Sequence, residues 1–232
     1  MTDDSWEEED QKYRAQVREE WEEKKRRTIL GRIFPYYREK TLDDFEVETS
    51  DQADTLDAVR KYVEEMPEMR AIGKGITFVG QNGVGKTHLA CAVMREAGIG
   101  CGYRIGCVEL STYINMYLRM FQLGKLEDDE VTDLIDRIAY LEGRTRLGVK
   151  GATFLLLDDV GREHESTSGW SNDRVFDLLR YRHNRNLPTI ITTNAPLPKM
   201  EERYSEGLTS FLREATIIIH MEGEDYRWRG AS

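Results

Sequence analysis

Cysteine is scarce in this chain: Cys91, Cys101 and Cys107 are the only three in 232 residues. An odd number with no C-x-x-C spacing excludes a disulfide framework and a zinc ribbon, and fits a reducing compartment. No apolar run approaches the ~20 residues of a membrane-spanning helix. The N-terminus is acidic and lacks the apolar stretch of a secretory signal. A soluble, cytoplasmic protein with no membrane partner is expected. An excess of positive charge is missing as well. Lys and Arg number 33 against 43 Asp and Glu, for a net charge of −10. That excludes a general polyanion binder and requires any nucleic-acid site to be local. There is no internal repeat. The 39% of hydrophobic residues suffices for one packed α/β domain with a short appendage.

The most informative stretch is Gly80-Gln81-Asn82-Gly83-Val84-Gly85-Lys86-Thr87, which fits G-x-x-x-x-G-K-[ST]. Glycines let a loop turn tightly and aim its N–H groups at an anion. Lys86 supplies a charge that reaches the β- and γ-phosphates of a nucleotide, and the Thr87 hydroxyl can ligate Mg²⁺. Ile76–Val79 reads as a buried strand ending at Gly80. Thr87 to Met94, including His88, reads as a helix whose N-terminal dipole adds to the pull on phosphate.

Residues 1 to about 28 are dominated by Glu, Lys and Arg, with Trp6, Tyr13, Val17 and Trp21 on one helical face. Two readings stand side by side: a solvated helix packed on its own domain, or a helix whose aromatic stripe docks a partner. Leu30–Tyr37, with Gly31 and Pro35, reads as a linker, so residues 1–34 form an extension and 35–232 the main domain. Helices are expected over Asp51–Met66, Tyr113–Phe121 (capped by Ser111), Asp128–Tyr140 and Asn172–His183. Strands are expected over Tyr103–Glu109, Phe154–Leu157, Thr189–Thr192 and Thr216–Met221. Alternating strands and helices imply a mostly parallel central sheet covered on both faces.

Phe154-Leu155-Leu156-Leu157-Asp158-Asp159 has the form of a Walker B strand. It delivers acids at its C-terminal end, where open α/β sheets bind ligands. Asp158 would hold the Mg²⁺ shell, and Asp159 would orient or deprotonate an attacking water. That second acid points to hydrolysis rather than to phosphate transfer. A small-molecule kinase would also need a lid rich in catalytic arginines, of which there is no sign. Asn194 closes the next core strand and can help fix the water.

Four segments together resemble the AAA+ ATPases of the DnaC/DnaI helicase-loader and IstB group: 83–90 (Gly-Val-Gly-Lys-Thr-His-Leu-Ala), 155–161 (Leu-Leu-Leu-Asp-Asp-Val-Gly), 187–194 (Leu-Pro-Thr-Ile-Ile-Thr-Thr-Asn) and 223–227 (Gly-Glu-Asp-Tyr-Arg). Residues 36–45 (Tyr-Tyr-Arg-Glu-Lys-Thr-Leu-Asp-Asp-Phe) resemble the segment preceding the ATPase core there. The resemblance implies a P-loop fold of the AAA+ type, with three layers and little or no lid domain, that binds ATP and Mg²⁺. It implies that Asn194 acts as sensor I and Arg227 as sensor II. It implies single-stranded DNA contacts at Phe121, Ser168 and Trp170, each aromatic being equally compatible with helix packing. Arg174, Arg180, Arg182 and Arg185 can add a locally positive strip. Arg182 matches an arginine usual in that helix, with packing or a salt bridge as its alternative role.

Two departures stand out. Where the group usually carries Ser-Arg-Leu, this chain has Ser210-Phe211-Leu212, and a phenylalanine cannot serve as a trans arginine finger, a device worth about 10³-fold or more in rate. Arg213 lies two positions on, about half a turn away. Asp159 stands where Glu is common. The leading expectation is a helicase loader that hydrolyses ATP slowly without its partner. Its N-terminal segment would grip a replicative DNA helicase, and the chain would act as an oligomer on that helicase. Two others remain: an IstB-like transposition ATPase, and a nucleotide-gated adaptor with negligible turnover.

Overall fold

The structure is a computed structural model that describes residues 4–123, 129–161, 170–204 and 206–226. Five strands form one parallel sheet: β1 (Gly75–Gly80), β2 (Ile105–Glu109), β3 (Phe154–Val160), β4 (Thr189–Thr193) and β5 (Thr216–Met221). Their spatial order is β2-β3-β4-β1-β5, with every pairing parallel. The strand sequences explain the layering. In β3, Phe154 and Leu156 face one core while Leu155 and Leu157 face another, so the uninterrupted apolar run is buried on both sides.

The first core is roofed by α2 (Ser50–Glu64), α3 (Met66–Ile72) and α4 (Lys86–Arg95). Thr49 caps α2 in a reciprocal box with Gln52. The second core is closed by α5 (Leu110–Leu123), α6 (Asp129–Glu142), α7 (Trp170–His183), α8 (Leu197–Tyr204) and α9 (Glu206–Ala215). This three-layer P-loop arrangement is the AAA+ fold that the motifs imply. No helix among the described residues is long and apolar enough to cross a membrane.

Several sequence expectations are corrected. Leu30–Tyr37 is not a loose linker: Ile33 is 2% exposed, Phe34 and Tyr37 pack on the first core, and Pro35–Tyr37 forms a 3₁₀ turn. Ser111 is no cap, because α5 already begins at Leu110. Arg182 is not part of a basic strip. It is fully buried, and all five of its N–H donors are used. Nε donates to Thr189 Oγ1 (3.0 Å); Nη1 to the carbonyls of Leu141 (2.9 Å) and Ala152 (3.1 Å); Nη2 to those of Thr153 (2.8 Å) and Pro188 (3.0 Å). Burial lowers its pKa and the nearby Arg70 lowers it further. Of the other strip members, Arg174 pairs with Asp177, while Arg180 over Phe176 and Arg185 over Tyr181 stay exposed and charged.

The N-terminal helix α1 (Asp4–Leu30) packs through its last turn, where Ile29 and Leu30 meet the first core. Trp6, Tyr13, Val17 and Trp21 remain 73%, 68%, 45% and 60% exposed. Packing of that stripe on the chain's own domain is therefore not what the structure shows.

Candidate nucleotide site

The site is built where β1, β3 and β4 end. β1 runs into the loop Gln81–Gly85 and α4 starts at Lys86. Two glycines are required by geometry. Gly83 has φ +80°, and a Cβ there would sit 1.7 Å from Asp225 Oδ1; Gly85 has φ +93°, and a Cβ there would meet the Phe45 ring at 2.7 Å. Val84, 1% exposed, anchors the loop in the core. Lys86 is buried, and its Nζ donates to the carbonyls of Gly80 (2.8 Å) and Gln81 (2.5 Å). A desolvated cation thus lies at the N-terminus of a ten-residue helix, beside a loop with no room for side chains at Gly83 and Gly85. That combination fits a phosphate chain.

Thr87 Oγ1 donates to Asp158 Oδ1 at 3.1 Å, which brings the two expected metal ligands together. Thr192 Oγ1 donates to the same Asp158 oxygen at 2.6 Å, and the Asp159 N–H donates to Thr192 Oγ1 at 2.9 Å. One hydroxyl therefore links both acids. Burial pushes the Asp158 pKa up; the bonds from Thr192 and Thr87 pull it back, and the Asp159 and Glu109 charges push it up again. A hydroxyl beside a desolvated carboxylate is a donor set suited to Mg²⁺.

The β3–β4 register shifts between Leu157 and Val160, and Asp159 takes φ 60°. This bulge turns Asp159 out of the strand's alternation. Asn194 Nδ2 then donates to Asp159 Oδ1 at 3.1 Å, at the end of β4. Asp159, Asn194, Lys86, Thr87 and Asp158 all line one cleft of about 700 Å³. Asn82, Gly83, Gly85 and His88 line it too. Of the other expected nucleotide contacts, Gly80 and Gln81 turn carbonyls to Lys86, and Val84 lies beneath the loop.

The opposite wall was missed by sequence reasoning. It is made by Tyr36, Tyr37, Phe45 and Tyr226. His88 holds it: its Nε2 donates to the Thr41 carbonyl at 2.8 Å, and its ring meets Phe45 edge-on at 5.9 Å between centroids. Burial lowers the His88 pKa, which favours the neutral ring. Tyr226 bonds Gln52 Nε2 and the Glu46 carbonyl through its hydroxyl, and its N–H donates to the Gly83 carbonyl at 3.2 Å. The aromatic cluster in residues 36–45 was the available signal.

Elsewhere, Phe121 and Trp170 come together on the surface, ring centroids 5.7 Å apart and edge to face, with Tyr117 6.0 Å from Trp170. Phe121 is 62% exposed. Phe211 packs edge-on against Phe176 and His183, whereas Arg213 is exposed. Ser168 and Arg227 lie outside the described residues.

The family model for IstB-like ATP binding proteins matches residues 13–231. The chain belongs to the IstB-like ATP-binding family. Among curated relatives, the ATP-binding protein of insertion sequence IS5376 from Geobacillus stearothermophilus is 28% identical over 89% of this chain and 76% of its own length. The replicative helicase loader DnaC of Escherichia coli strain K12 is 23% identical over 85% of this chain and 73% of its own. A crystal structure of the DnaC helicase loader superimposes with a TM-score of 0.66 at 26% identity, covering 82% of this chain and all of that one. This IstB-like chain thus combines a nucleotide-binding family with the fold of a helicase loader.

Proposed function

We propose that this protein is a Mg²⁺-dependent ATPase that loads a replicative helicase onto single-stranded DNA, residues 1–34 serving as a docking segment and 35–232 as the motor. The observation that carries the hydrolytic reading is the Asn194–Asp159 hydrogen bond beside Lys86, Thr87 and Asp158. In this reading Lys86 exchanges its loop carbonyls for phosphate oxygens. Thr87 and Asp158 hold Mg²⁺, which neutralises charge on those oxygens when bound. Asp159 accepts a proton from, or orients, the attacking water, and Asn194 fixes its carboxylate. Gly80 to His88 cradle the phosphates, and Arg227 senses the γ-phosphate. The exposed Phe121–Trp170 pair supports base stacking, with Ser168 bonding the backbone. The likeness to DnaC supports a helicase as partner, with the chain acting there as an oligomer.

The test is ATP turnover with and without single-stranded DNA and a purified replicative helicase, with Asp159→Asn as control. Turnover that rises with both partners and vanishes in Asp159→Asn is the expected result. Flat turnover with tight ATP binding would instead identify a nucleotide-gated adaptor, a reading that Phe211 at the finger position favours. The likeness to the IS5376 protein favours a second reading, a transposition helper. Capture of a transposase and a preference for duplex DNA would replace the loader by that function.

A further inference from the structure

The exposed Phe121–Trp170 pair is one end of a longer surface. Tyr117 meets Trp170 edge-on and also lines a cleft of about 260 Å³ with Glu142, Arg144, Arg174 and Tyr181. Trp170 and Tyr181 both lie on α7. At about 100° and 1.5 Å per residue they share one face and stand about 17 Å apart along it. Arg174 falls between them on that face. Rings and arginines thus alternate along one side of a chain whose net charge is −10.

The far end of the cleft concentrates positive charge. The guanidiniums of Arg144 and Arg185 both stack on Tyr181, 4.0 and 3.8 Å from its ring centroid. Two like charges are thereby held within a Debye length, about 8–10 Å, of each other. Buried Glu142 answers only Arg144: it accepts from Arg144 Nε and from the hydroxyls of Tyr113 and Tyr117. Arg185 is exposed and donates to the Tyr181 carbonyl at 3.4 Å, and among the described residues no carboxylate pairs with it. The cleft's other carboxylate, Asp177, is taken by Arg174, whose Nε is buried with no acceptor among the described residues. Surplus positive charge beside an orphan donor suits an anion. A guanidinium lying flat on a ring adds an outer face on which a base can stack. An anion joined to a flat ring is a nucleotide unit. An acidic peptide would bring the charge without the ring.

We infer that Tyr181 centres a second single-strand subsite, where Arg144 and Arg185 take the phosphate backbone and offer their outer faces to an unpaired base. The strand runs between Phe121–Trp170 and Arg185, crossing the cleft beside Arg174. Its contacts are to backbone and ring faces, so the subsite grips strands of any sequence. Bases in a duplex keep their faces inside the stack and gain nothing there. The inference rests on the reading of Phe121 and Trp170 as DNA contacts and extends that surface along α7.

The experiment is fluorescence anisotropy of the full chain with labelled oligo-dT of about ten nucleotides, titrated between about 50 and 200 mM salt. Far-UV circular dichroism follows folding. Arg144→Ala with Arg185→Ala should weaken binding about ten-fold or more and reduce the log–log salt slope by about 1.4, or 0.7 for each lost phosphate contact. Arg185→Lys alone should keep the slope while losing affinity, since an ammonium holds the charge without the flat fork. Phe121→Ala should weaken binding and leave the slope unchanged. Arg137→Ala removes the same charge from α6 outside the cleft and should change neither. Unchanged affinity and slope in the double variant, while Phe121→Ala still weakens binding, overturns the inference and leaves the loader reading standing. The same result joined to lost helicase capture would assign the arginines to an acidic protein segment. Equal affinity for a duplex of the same length overturns the inference as well. A native chain that does not bind oligo-dT overturns it together with the single-strand reading of Phe121 and Trp170.

Discussion

Two buried cations sit at opposite ends of one parallel sheet. Lys86 lies where β1 and β3 end, and donates to two carbonyls of its own loop. Arg182 lies where β3 and β4 begin, and donates to five acceptors from three separate stretches of chain. A lysine is a point charge on a flexible stem, able to leave weak partners for a phosphate; an arginine fork with every donor satisfied is fixed. The contrast separates the end of the sheet that carries the candidate nucleotide site from a structural end. It also shows that burying a charge says nothing about function until its partners are counted.

The sharpest break of that contrast is Arg182→Ala. It strands four carbonyls and a hydroxyl in the interior, and should cost about 3–5 kcal/mol in denaturant unfolding. Arg182→Lys keeps the charge but offers only three donors, so it should recover only part of the loss. Protein that remains folded in either variant should still bind nucleotide. Lys86→Ala should do the reverse: affinity for ATP falls about 100-fold by calorimetry, a charge-assisted contact being lost, while the unfolding free energy of the nucleotide-free chain moves by less than about 1 kcal/mol. If the two variants gave the same pattern, the division between ends would be wrong.

The smallest effect concerns Asp158. Burial raises its pKa in the folded state, so the folded chain holds that proton more tightly than the unfolded chain does. Its stabilising share is present at pH below the unfolded carboxyl pKa and is lost as pH rises through the folded value. At neutral pH the ionised Asp158 therefore costs stability. Asp158→Asn should raise the melting temperature of the nucleotide-free chain by about 1–2 °C at pH 7. It should abolish the Mg²⁺ dependence of nucleotide binding, and its advantage should shrink in acid.

The candidate site was largely legible in the sequence because its residues lie in short contiguous stretches. Gly80 to Thr87 is one contiguous loop, and Asp158-Asp159 follows an apolar run that reads as a buried strand. What stayed hidden depends on distant chain. Nothing near Asp159 announces the bulge that aims it at Asn194, because the irregularity lies in its pairing with β4. The aromatic wall forms only when His88 reaches the Thr41 carbonyl. Arg182 reads as a surface charge because its five acceptors come from residues 141, 152, 153, 188 and 189. Leu30–Tyr37 reads as a linker because Gly31 and Pro35 are visible locally, while the core that receives Ile33 is not.

The strand order has a consequence for how this chain comes into being. β2 and β3 can pair as soon as both have left the ribosome. β1, which carries the phosphate loop, has no such neighbour: Ile76 is partnered by Ile190 on one side and Ile217 on the other. During synthesis the loop must wait, with its apolar strand unpaired, until β4 and β5 have emerged, since long-range parallel pairings are slow to form. The loop is held in shape only once residues 189–221 have joined the sheet, so nucleotide binding would double as a report that all five strands are in place.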